Sequence, residues 1–182
     1  MDPDGDLLLV LRKQEKGKTV VNVNVLVSSK HMTLASCVFK TKLVPDSIKN
    51  GAGSTASGKI EISLIEDDSE AFIVLLNVIH GRNRLVPLTL SLDLLTKVAV
   101  LVEKYNLHDV VAVFGDIWVF DAMDRSDSGY FLQVSQWLCI AWVFKDEELF
   151  NTVSCLAVKF SKKGFSGSMD GLPLPPHIIG KK

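Results

Sequence analysis

The sequence predicts an α+β fold, a small three-stranded sheet covered by a cluster of helices, on three observations. Val21, Val23, Val25 and Val27 alternate with Asn22 and Asn24, the period of a strand with one buried face. Ile60, Ile62 and Leu64 alternate with Glu61 and Ser63 in the same way. Beyond these the period lengthens: Phe72, Leu75, Leu76 and Ile79, then Leu92, Leu95, Val98, Ala99 and Val102, recur at helical spacing. A small sheet followed by a run of helices can be covered only by those helices.

The elements follow in order. Leu7 to Leu11 is a short apolar run, and the polar stretch Lys13 to Lys18, with Gly17, turns it into the Val20 to Val27 strand as a hairpin. Ser28 or Ser29 offers a hydroxyl to cap a helix running to Leu43, which presents Met32, Ala35, Ser36 and Phe39 inward and stops at Pro45. Asn50 to Gly58, NGAGSTASG, reads as a loop, and no Gly-Lys-Ser/Thr follows it as a phosphate cradle needs. Asp67, Asp68 and Glu70 suit the positive end of the next helix, which Gly81 closes. A basic loop, Gly81 to Pro87, leads to Ser91 as the cap of a further helix, and another is expected from Asp109 to about Phe120.

Asp121 to Gly129, DAMDRSDSG, shifts in composition like a linker. It sets the expected domains: residues 1–123, then 124–182 as a helical extension. In the extension Gln133 to Phe144 and Glu147 to Phe160 read as helices, the second opened by Asp146, Glu147 and Glu148. Gly164 to Lys182 carries Pro173, Pro175 and Pro176 and reads as extended tail.

Composition limits the function classes. The 182 residues are 47% hydrophobic and 23% charged, an ordinary folding composition. Twenty basic against twenty-one acidic residues give a net charge of -1, which supplies no field to hold a phosphate backbone. Apolar runs are strand-sized, well short of the ~20 residues that cross a bilayer. The acidic Met1 to Asp6 lacks the basic and apolar regions of a secretory signal, so an intracellular, reducing site is expected, with nucleus or cytoplasm open. Cys37, Cys139 and Cys155 form no Cys-x-x-Cys pair and are expected as buried thiols.

Chemistry-bearing patterns are weak. His31, His80, His108 and His177 fall in separate segments with no paired metal-ligand spacing. Ser36 lacks the Gly-x-Ser-x-Gly elbow, and Glu66, Asp67, Asp68 and Glu70 lack the spacing of a calcium loop. The expectation is no catalytic residue, cofactor or metal, with a small enzyme or metal-binding protein as the least supported alternative.

The segments GDLLLVL, VSSKHMTLASCVF, IEISLIEDDSEAF with LLNVIHG, and SLDLLTKVAVLVEKYNLHDVV occur in the order of a BTB/POZ domain, and over residues 5 to 120 the chain resembles that family. It looks most like the divergent BTB proteins of filamentous fungi, whose C-terminal extension is also similar to WLCIAWVFKDEELF and GLPLPPHII here. The resemblance implies a BTB/POZ fold and a protein-interaction role as scaffold or oligomerisation domain, with partners that are other proteins, a second copy or a cullin. Oligomerisation in transcription is a variant of the same reading, through a partner, because no DNA-binding module is visible.

The resemblance also marks departures. Better-studied members carry His-Arg or His-Lys entering the first helix, where this chain has Ser28 and Ser29. Asp6 matches the acid that shapes their charged groove. A long helix before the first strand, which many members swap to dimerise, has only five residues of room before Asp6. The hydrophobic-x-Glu element of cullin-binding members is matched by Val44-Pro45-Asp46, with the shorter Asp as acceptor, and gives ubiquitin-ligase adaptor as the alternative function.

The candidate interaction residues are therefore Asp6, Phe39, Val44, Asp46, His80, Arg82, Arg84, Trp137 and Trp142. Phe39 to Pro45, the His80 to Arg84 loop and the extension supply the surfaces. Trp137, Trp142, Phe144 and Phe150 are the aromatic anchors available to a partner, or the packing of the extension itself. His80 reads as a residue at the edge of its loop.

Overall fold

β1 (Leu7–Gln14) and β2 (Val20–Val27) form the expected antiparallel hairpin, in a register that sets Leu7 opposite Val27 and Leu11 opposite Val23. The computed structural model describes residues 1–14, 20–44, 53–54, 58–126, 133–161 and 171–174. Pro45, Asp46, residues 127–129 of the expected linker, Pro175, Pro176 and His177 lie outside the described residues, as does most of the expected hairpin turn.

The chain forms two compact units, one of Met1–Val86 with Tyr105–Val110, the other of Pro87–Lys104 with Val111–Lys182. In the first, the sheet runs in the order β2, β1, β4, β3, where β4 is Ile60–Asp68 and β3 is the two-residue strand Gly53–Ser54. β4 lies parallel to β1, so the chain must cross over between them, and α1 and α2 lie within that crossover. The three long strands match the expected sheet. The short edge strand falls inside the segment read as a loop, where it pairs antiparallel with Ile60 and Glu61.

Alternation decides the faces. Leu7, Leu9 and Leu11 of β1, Val25 and Val27 of β2, and Ile62 and Leu64 of β4 are all buried. The stripe fades along β2: Val23 is half-buried and Val21 exposed. Asp68 ends β4 and caps α3 (Ser69–Ile79), accepting from the amides of Glu70 and Ala71 at 3.0 Å each. Phe72, Leu75, Leu76 and Ile79 are buried as their spacing predicts, and α3 packs on β1, β4 and α1. Gly81 follows with φ of +64°, a conformation that only glycine adopts freely.

The single helix expected from Ser28 to Leu43 is two, α1 (Ser29–Ala35) and α2 (Cys37–Lys42). Ser28 caps the first. Ser36 breaks the helix with φ of -142° and ψ of 121°, closing α1 through its amide and capping α2 through its hydroxyl, which accepts from the Phe39 amide at 3.1 Å. The same hydroxyl donates to the Tyr105 carbonyl at 2.5 Å. A serine that finds partners for its hydroxyl outside the helix competes with helical continuation.

In the second unit, Ser91 caps α4 (Leu92–Tyr105) by accepting from the Leu94 amide at 3.2 Å. The stripe Leu95, Val98, Ala99 and Val102 is buried. α5 (His108–Asp124) runs past Phe120, so Asp121 to Asp124 of the expected linker are helical, and the division between units does not fall at residue 123. The linker composition misleads there because its polar side chains have local uses. Asp121 pairs with Arg125 at 2.7 Å, and Arg125 donates to the Leu90 carbonyl at 2.5 Å. α6 (Val134–Val143) and α7 (Glu147–Ser161) pack on each other as the expected pair, α7 being capped by Asp146, which accepts from Leu149 at 2.9 Å. No helix among the described residues is long and apolar enough to cross a membrane.

Candidate interaction surfaces

The expected site residues fall in both units, Asp6, Phe39, Val44, His80, Arg82 and Arg84 in the first, Trp137 and Trp142 in the second. In the first unit, Asp6 and His80 both meet the start of α1. Asp6 accepts from the Ser29 amide at 2.7 Å and the Ser29 hydroxyl at 2.5 Å. Its partial burial opposes ionisation, but these two hydrogen bonds, its own backbone amide and the nearby Lys30 charge outweigh it and hold the carboxyl below its ordinary range. Ser29 thus supplies the Asp6 carboxylate with two neutral donors.

His80 is not a loop-edge residue. It caps α3 at its C-terminal end, its Nε2 accepts from the Ser28 amide at 3.2 Å, and its Nδ1 lies 3.0 Å from the Leu76 carbonyl. Those partners select the tautomer protonated on Nδ1, which donates to Leu76 and leaves Nε2 as acceptor. Burial, with the charge of a neighbouring His31 ring 5.1 Å away, pushes its pKa down although the Leu76 bond favours the protonated ring. His80 therefore ties α1 to α3, a role that leaves no mark in the sequence because the partner is a backbone amide.

Arg82 and Arg84 are exposed on the turn that follows, where Asn83–Leu85 forms a short 3-10 helix whose Leu85 is also exposed. Val44 is 44% exposed just after α2. Phe39, by contrast, is fully buried and cannot meet a partner. Its ring stacks on Tyr105 at 4.9 Å and meets Phe72 edge-on at 6.3 Å. Tyr105 in turn donates to the buried Asp67 carboxylate at 2.5 Å. Burial, then the hydrogen bond and charge of Asp67, push the Tyr105 phenol far up, so it stays a donor.

In the second unit the two expected tryptophans separate. Trp137 is buried, while Trp142 is 37% exposed and tilts against Phe150 at 6.0 Å. The larger apolar surface is on α5, which sequence reasoning passed over. Val111, Gly115, Trp118 and Ala122 are buried on one side, and Trp118 Nε1 donates to the Pro87 carbonyl at 2.7 Å. On the other side Val113, Ile117 and Phe120 are 72%, 38% and 74% exposed. Their i, i+4, i+7 spacing makes one ridge. The signal was present: a helix apolar on every side needs cover on every side.

The thiols also divide. Cys139 is buried, and burial with the Glu103 charge pushes its pKa up to about 12. Cys37 and Cys155 are exposed, contrary to expectation. Cys37 lies on the face away from the buried Met32, Ser36 and Phe39, where Asn106 Nδ2 donates to its sulfur at 3.0 Å; Cys155 falls off the buried Leu149 and Val153 stripe of α7. Among the described residues, no group of three or more His, Cys, Asp or Glu is placed to hold a metal. Compared with protein-family models and with curated proteins, the chain matches none.

Proposed function

We propose that this chain is a protein-interaction scaffold of BTB/POZ type that works by docking other proteins and not by catalysis. The observation that carries the reading is the exposed ridge of α5, because isolated apolar side chains are common on surfaces whereas an aligned stripe on one helix is a feature of binding faces. The BTB/POZ assignment rests on the ordered motifs and on their arrangement as hairpin, helix pair, parallel third strand and following helices. The test is capture: the purified chain, immobilised at physiological salt, should retain protein partners in stoichiometric amounts, or sediment as an oligomer. A turnover abolished by a single point change would overturn the reading.

A ubiquitin-ligase adaptor is the second reading, favoured by the exposure of Val44 at the end of α2. Calorimetric titration with the N-terminal domain of a cullin tests it, with Val44→Asp as control. Saturable binding lost in the control supports the adaptor, and no binding at ~100 μM, weaker than about -5.5 kcal/mol, removes it.

A further inference from the structure

The ridge on α5 does not end at Phe120. That side chain also lines a cleft of about 270 Å³, together with Val119, Met123, Phe144, Asp116 and Asp146. Every lining residue is apolar or aromatic except the two carboxylates. Asp146 uses one oxygen to cap α7. Asp116 is exposed and makes no ion pair among the described residues. No Lys or Arg occurs between His108 and Asp124, and Arg125 is engaged by Asp121. Lys145, exposed between Phe144 and Asp146, is outnumbered by Asp116, Asp124, Asp146, Glu147 and Glu148, so the ridge and its cleft are apolar ground edged with net negative charge.

That charge selects among occupants. An anionic lipid surface is repelled by Asp116 and Asp124. A second copy laid face to face would set the same carboxylates against each other. A cationic apolar segment is attracted by the acids and covers the ridge. We infer that the α5 ridge and cleft dock a basic amphipathic segment of a protein partner, with an apolar side chain seated beside Phe120 and a Lys or Arg paired with Asp116. The inference rests on the scaffold reading and adds the partner's chemistry and place.

The test uses the full chain and a fluorescein-labelled helical peptide of Leu and Lys, Leu at i, i+3, i+4 and i+7, read by anisotropy. A peptide of the same composition in scrambled order and one with Glu for Lys are controls. The helical Leu/Lys peptide should bind saturably and at least about tenfold more tightly than either control, since facial pattern and charge both matter. Phe120→Ser and Asp116→Lys should each weaken it about tenfold or more, with unchanged melting temperature, because both side chains are exposed. Asp116→Lys should also flatten the salt dependence.

Equal binding of the scrambled peptide, equal binding by Phe120→Ser, or no binding overturns the inference. So does an oligomer that Phe120→Ser dissociates, or binding to vesicles of phosphatidylcholine with phosphatidylserine that the same change abolishes. Cross-linked capture separates this failure from that of the scaffold reading. Partners retained equally by wild type and Phe120→Ser leave the scaffold standing and remove this cleft; partners retained by neither remove both.

Discussion

Ser28 donates its backbone N–H to Nε2 of His80, 52 residues away, across 3.2 Å. The bond joins the cap of α1 to the cap of α3, and it exists only while the His80 ring is neutral. His80→Ala leaves the amide without its partner in a half-buried site. We expect a loss of about 1–2 kcal/mol, measured by urea denaturation, well beyond the roughly ±0.5 kcal/mol of a surface change.

The same bond makes stability depend on pH. The folded pKa of His80 lies below its ordinary value of 6.5, so between the two the unfolded chain binds a proton that the folded chain does not. The stabilisation is complete above 6.5, falls as the pH drops toward the folded pKa, and is gone below it. His31, Asp2 and the N-terminal amine also act on the ring through their charges. The urea midpoint of wild type should fall more from pH 7.5 to pH 5.5 than that of His80→Gln. Parallel curves would show that His80 is not the titrating group.

Phe39 and Tyr105 test the core of the first unit. Phe39→Ala should cost about 3–5 kcal/mol, as for a fully buried aromatic. Tyr105→Phe keeps the ring stack but removes the donor to Asp67, and should cost about 1.5–3 kcal/mol, the range for hydrogen bonds to charged groups. Calorimetric melting distinguishes them. A Tyr105→Phe chain as stable as wild type would mean that Asp67 is satisfied without the phenol.

What the sequence made legible was the periodic part. Leu7 to Leu11, Val25, Val27, Ile62 and Leu64 declare the sheet, and Phe72 to Ile79 and Leu95 to Val102 declare the helices, because burial leaves a repeat of two or of 3.6 in the chain. Ser28 and Ser91 were readable as caps, and Asp68 and Asp146 as acids at a helix start, because such groups act within the first turn. Hidden were the groups whose partners are far away in sequence: Ser36 with Tyr105, Tyr105 with Asp67, His80 with Ser28. A hydroxyl or imidazole has no periodicity, so nothing local tells a cross-link from a surface residue. The same limit made Phe39 look available to a partner and Trp137 and Trp142 look alike. The α5 ridge was missed for another reason: apolar residues on both sides of a helix read as core until exposure separates them.

The thiols offer a direct check on which faces of α2, α6 and α7 are buried. Cys37 and Cys155 should react with Ellman's reagent in the native chain, and Cys139 only on unfolding, since burial holds it as the unreactive thiol with a pKa near 12. Ser36→Ala removes the cap of α2 and should cost about 0.5–2 kcal/mol. A nearly neutral Ser36 change would mean instead that α1 and α2 run on as one helix.

Phe144 shapes the cleft only because Gly115 has no side chain. A Cβ built on Gly115 would lie 2.6 Å from Phe144 Cδ1 and 2.9 Å from Cε1, closer than real Cβ contacts come. Alanine in a helix gains up to about 1 kcal/mol over glycine, while forcing a methyl into a packed site costs about 1–3 kcal/mol. Because the clash falls on a ring that is only partly buried, the ring can turn away, and the lower half of that cost applies. Gly115→Ala should therefore change stability by under about 1 kcal/mol while displacing Phe144 from the cleft wall. The measurement is the anisotropy titration with the Leu/Lys peptide alongside a melting curve. Weakened binding at nearly constant melting temperature would place the docking pocket between Phe120 and Phe144; a large drop in melting temperature would show instead that the Phe144 ring is fixed by packing on the helix backbone.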